Sequence, residues 1–68
     1  MKNYHATVHD KKTNEIIFET QVYANTEGEA HEKINNYLIS IGKPEIAALG
    51  AMLMEIGDRR MTGIPILE

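Results

Sequence analysis

From Tyr4 to Val8 the chain alternates, with Tyr4, Ala6 and Val8 set against His5, Thr7 and His9, and a repeat of two marks a strand with one buried face. The polar run Asp10-Lys11-Lys12-Thr13-Asn14 then reverses the chain. Alternation resumes from Glu15 to Tyr23: Ile16, Phe18, Thr20 and Val22 share one face, and Ile17, Glu19, Gln21 and Tyr23 the other. The two segments predict a β-hairpin.

Past Tyr23 the period changes. Thr26, with Glu29 three residues on, forms a capping box whose side chains satisfy free N–H groups at a helix start, and Glu27 and Glu29 suit the positive end of the helix dipole. Ala30, Ile34, Tyr37, Leu38 and Ile41 follow at spacings of three and four and make one apolar stripe. Gly42 is suited to a left-handed stop, and Pro44 prevents continuation, so the helix is expected from about Glu27 to Ile41. Pro44 to Leu49 suits a short helical turn with Pro at its first position, and the sequence leaves residues 44 to 50 open between helix and loop.

The stretch "AMLMEI", Ala51 to Ile56, has no polar residue before Glu55, so periodicity alone does not separate strand from helix. Topology assigns it as a strand, because a lone hairpin is barely stable and a third strand gives the helix a sheet to lie on. Gly57-Asp58 is then a turn and Arg59 to Thr62 a short returning edge, while the tail "GIPILE" either packs on the sheet or is loose. The expected fold is α+β over residues 1–68 as a single small domain. Its antiparallel sheet has three strands, or four with the returning edge, and one helix packs across it in the order ββαβ(β).

Length bounds the function. A chain of 68 residues buries only roughly 60% of the surface its unfolded form exposes, and one sheet with one helix supplies few walls for a deep cleft. The expectation is therefore a binding module and not an enzyme. A net charge of −3 and a pI near 5.5 oppose nonspecific attraction to nucleic acid or an anionic membrane. The chain has no Cys, which fits a reducing cytosol, and its N-terminus has no apolar run of the secretory kind. The Ile46 to Met54 stretch is about half of the ~20 residues needed to span a bilayer. A soluble cytoplasmic protein is expected.

Candidate chemistry is sparse. His5 and His9 lie four apart on a strand, which separates them by roughly 13 Å, too far to share a metal ion. His31 sits off the apolar stripe, where plain exposure is expected. Glu29 and Glu32 are neighbours on the helix, but nothing apolar surrounds them to raise a pKa, so a solvated acidic face is expected. Ser40 is the only serine and has no histidine near it in sequence. No catalytic residue, metal site or cofactor is assigned. Met52 and Met54 read first as core gap-fillers and second, with Met61, as an adaptable contact surface. Arg59-Arg60 admits two readings of equal weight: charge that protects an exposed edge strand from aggregation, or guanidinium anchors for a partner's carboxylates.

The segments "ATV" in the first strand, "FE..VYA.T..EA.E" from Phe18 to Glu32, and "MEIGDRR" near the end resemble the small phage-encoded inhibitor of bacterial RNA polymerase from T7-like phages. That resemblance, carried mainly by the hairpin and helix, implies a three-stranded antiparallel sheet with a crossing helix, and binding to the polymerase jaw through the third strand and its arginines, helped by an acidic strip. It would place Glu19, Glu29 and Glu32 in the strip and Arg60 in the position of one essential arginine. Asp58 stands where the family has its other arginine, with Arg59 one position later. The helix-to-strand connection is longer here, and Asn25 and Gly28 replace acidic positions.

The expected function is thus a phage or prophage protein that binds and inhibits a host protein, with RNA polymerase the named candidate and another host machine such as a defence nuclease as a further one. Its partner-binding residues would be Arg59, Arg60, Glu19, Glu29, Glu32 and Met61, with no direct contact to nucleic acid or membrane. The alternative is a small homodimer that pairs through its C-terminal strands.

Overall fold

Both halves of the N-terminal alternation form strands in the computed structural model, which describes all 68 residues: β1 (Lys2–His9) and β2 (Ile16–Ala24) pair antiparallel, with Tyr4 opposite Val22 and Ala6 opposite Thr20. The register shifts between Val8 and His9, and Ile16, paired with His9 beyond the shift, is exposed. Between the strands Asp10 organises the turn. Its carboxylate accepts the backbone N–H of Lys12 at 2.7 Å and of Thr13 at 3.0 Å, an Asx turn that leaves Asn14 to take the left-handed conformation (φ 62°).

Those two N–H donors, Thr13 first and Lys12 second, hold the Asp10 carboxyl below the usual carboxylate range. A carboxyl lowered by folding stabilises the folded state above its unfolded pKa, and that contribution is lost as pH falls through the folded value. In an acid titration followed by circular dichroism, an Asp10→Ala variant is expected to lose part of the wild-type decline below pH ~4. Parallel curves for the two proteins would show that the turn carries no such linkage.

The helix α1 (Glu27–Ser40) begins as its sequence dictates, with Thr26 Oγ1 accepting the Glu29 N–H at 3.1 Å. The reciprocal half of the capping box is replaced by an ion pair, since Glu29 lies 3.5 Å from Lys33 one turn on. Lys33 also donates to the Tyr23 carbonyl at 2.6 Å, tying the helix to the end of β2. At the other end Gly42 (φ 79°) and Lys43 donate to the Ile39 and Leu38 carbonyls, a Schellman stop that needs the left-handed glycine. Ile41 is the cap residue, outside the helix and exposed, so the apolar stripe ends at Leu38 and does not reach Ile41.

Ala30, Ile34 and Leu38 seat the helix on Tyr4, Ala6, Val22 and Ala24, and Phe18 stacks obliquely on Tyr37 with ring centroids 6.0 Å apart. A short α2 (Pro44–Ala47) follows and leads into β3 (Met52–Glu55). β3 pairs antiparallel with β1, with Leu53 opposite Ala6, and only Leu53 turns toward the core. The reading of Met52 and Met54 as core gap-fillers is overturned: both lie on the opposite face of this strand, exposed at 68% and 65%.

The fourth strand is not where the sequence suggested. Gly57-Asp58 turns the chain, but Arg59 to Thr62 form no returning edge; β4 is instead Ile66–Leu67, and it pairs parallel with β2 at Gln21 and Val22. The sheet order is therefore β3-β1-β2-β4, antiparallel through its first three strands and mixed overall. Two crossovers build it. From β2 the chain crosses β1 on one face through α1 to reach β3, and from β3 it crosses back over β1 and β2 on the other face to reach β4. Both direction and face reverse between the two, so they share one hand, as the uniform twist of strands requires. The sheet ends up between the helix and a strap, residues 56–65.

Candidate functional site

Opposite the helix, β1 and β2 present Asn3, His5, Thr7, Glu19, Gln21 and Tyr23, the second set of each alternation. The strap covers one end of this face and leaves the other open. Where it is open, His5 Nε2 lies 2.6 Å from Glu19 Oε2, a diagonal cross-strand hydrogen bond from imidazole N–H to carboxylate. Both side chains are partly exposed, so the pair adds little to stability in water. Met54 pairs with His5 and Met52 with Thr7, which puts two thioethers beside this pair along the outermost strand.

β3 is the end of the sheet, and its outer main-chain groups have no strand beside them. An unpaired edge is a template for another chain. Here it carries two exposed methionines and runs directly into Gly57, Asp58, Arg59 and Arg60, all exposed. Of the expected partner-binding residues, then, Arg59, Arg60 and half-buried Met61 lie together on the strap, whose backbone is held over Asn3 of β1 and Gln21 of β2. Glu19 shares their side of the sheet. Glu29 and Glu32 belong to the helix layer on the far side, so the acidic strip that the resemblance implies is split by the sheet.

The structure shows no enclosed pocket, and no group of three His, Asp or Glu residues stands close enough to hold a metal ion. No family model, curated protein or solved structure matches this chain. No helix is long and apolar enough to cross a membrane.

Two residues at the covered end of this face escaped the sequence reading. Asn3 lies outside the alternation that the sequence shows and Gln21 is there only a polar strand position, yet they are 5% and 0% exposed. Gln21 Nε2 lies 2.9 Å from Asn3 Oδ1, 3.0 Å from the Tyr23 hydroxyl and 3.1 Å from the Arg59 carbonyl, and its Oε1 accepts the Met61 N–H at 2.7 Å. Asn3 Nδ2 donates to the Gly57 carbonyl at 2.8 Å and the Arg59 carbonyl at 2.7 Å. The available signal was slight: an uncharged amide inside a strand of otherwise strong β formers, where a charged residue would have been the ordinary choice for a solvated face.

Proposed function

We propose that this chain is a non-enzymatic protein-binding module, encoded by a phage or prophage, that docks the β3 edge and the Arg59-Arg60 pair on a host protein and inhibits it. The observation that carries this reading is that two exposed methionines of an unpaired edge strand and two exposed arginines of the strap share the side of the sheet opposite the helix. Main-chain groups of an edge supply affinity, thioethers repack to fit a partner, and guanidinium groups make bidentate bonds to carboxylates. Bacterial RNA polymerase is the candidate target named by the sequence resemblance.

The test is a titration of labelled protein with purified bacterial RNA polymerase, alongside the Arg59→Glu/Arg60→Glu variant. Arginines that anchor an interface contribute on the order of 2 kcal/mol each, roughly 30-fold for one, so the double reversal should weaken binding by up to about 1,000-fold while the fold stays intact. Equal binding by both proteins would remove the proposal.

The same unpaired β3 edge supports a second reading, a homodimer in which two copies pair edge to edge. Sedimentation across a range of concentrations separates the two: only the dimer reading requires a mass that rises with concentration.

A further inference from the structure

We propose that Asn3 and Gln21 are positioning residues whose buried amides clamp the strap from beneath and present Arg59 and Arg60 as a preformed pair; the binding half of this inference rests on the protein-binding reading above, and the clamp itself does not.

Burying two amides on a sheet face is unfavourable unless their donors and acceptors are matched, and a leucine at either position would cover the same area with no polar group to satisfy. Here the matching groups come mainly from the strap's main chain. The Arg59 carbonyl accepts from both Asn3 and Gln21, one for each lone pair, and the Met61 N–H donates to Gln21. Arg60 is thus bracketed between two anchored peptide groups while its own side chain and that of Arg59 stay in solvent. The amides hold the backbone and leave the cations free.

This arrangement matters because the strap has no ladder or helix of its own between Glu55 and Ile66, apart from the turn at its start and the bend before its end. Without the clamp, ordering its backbone would be charged against every binding event. With it, two arginines project from a segment that is fixed to the centre of the sheet, the most rigid platform this small fold has.

The clamp can be read without any partner, by amide hydrogen exchange. In the wild type the Met61 amide should be protected along with the β1–β2 ladder. In Gln21→Leu its protection should fall at least about tenfold, the factor that 1.4 kcal/mol or roughly one hydrogen bond represents, while the ladder amides keep theirs. Unprotected Met61 in the wild type would overturn the proposal whether or not the variant folds. So would unchanged Met61 protection in Gln21→Leu, or a loss there that the ladder amides share in equal measure, since Gln21 would then act on the whole fold and not on the strap.

The binding half uses the same polymerase titration. Gln21→Leu should bind more weakly although both arginines are present, and Arg59→Glu/Arg60→Glu should bind weakly with Met61 still protected. If the arginine variant loses binding and Gln21→Leu does not, positioning is wrong. If neither variant loses binding, the protein-binding reading has failed and the exchange data alone decide the clamp.

Discussion

A Leu38→Ala variant is expected to be close to unfolding at room temperature, and an Ile39→Ala variant, one residue along, to be as stable as the wild type. Leu38 is 1% exposed and meets the sheet beside Ile34, whereas Ile39 is 59% exposed. Truncating a buried leucine costs about 2–5 kcal/mol, because the lost burial is joined by a cavity that a small core cannot fill. The whole domain has little to draw on. At roughly 0.05–0.15 kcal/mol per residue, a chain of 68 residues holds about 3–10 kcal/mol, and three of its eight buried apolar residues are the alanines Ala6, Ala24 and Ala30. That leaves Tyr4, Val8, Val22, Ile34 and Leu38 to supply most of the burial. Urea denaturation of the two variants measures the contrast; equal midpoints would mean that the helix does not rest on the stripe described here.

The same core explains what was legible in the sequence. Tyr4-Ala6-Val8 and Ala30-Ile34-Leu38 are buried apolar positions set among mostly polar residues along the chain, and that contrast in the sequence is what periodicity reads. The hairpin and the helix follow from it, and Thr26 and Gly42 mark the helix ends by residue type, whereas residues 44–50 stay open in the sequence between a helical turn and a loop until the structure shows α2. Legibility ended where contrast did. In Ala51 to Ile56 nearly every residue is apolar, so the strand could be inferred from topology but not its facing, which is fixed by the pairing of Leu53 with Ala6. A slip of one residue would have inverted the assignment.

The site was less legible than the fold, for a different reason. Asn3 and Gln21 are buried by a segment more than 35 residues away in sequence, and the closure of such contacts leaves no local pattern. β4 has two residues, and it pairs parallel with β2 only because the strap has carried the chain across the sheet. Arg59 and Arg60 could be singled out as exposed charge after a turn. What holds their backbone could not. The acidic residues were grouped by their likeness to a family pattern, and the alternation along β2 puts Glu19 on one side of the sheet while the cap and stripe of α1 keep Glu29 and Glu32 on the other.

The facing of β3 yields the second large effect, on binding. A Met52→Lys/Met54→Lys variant should fold as well as the wild type, within about 0.5 kcal/mol, because neither thioether is packed against the core and lysine suits an exposed edge strand. Its binding to the proposed target should fall by more than roughly tenfold, since two adaptable apolar contacts on the docking edge become strongly hydrated charges on the same side of the sheet as the arginines. A matched Leu53→Lys variant should do the reverse of the first half and unfold, as its side chain packs against the core cluster. Denaturation midpoints and a titration with polymerase read all three proteins. If the methionine variant loses more than about 1 kcal/mol of stability, the facing assigned to β3 is wrong. If it is stable and binds as tightly as the wild type, the edge of β3 is not the contact, and the arginines would have to act from the strap alone.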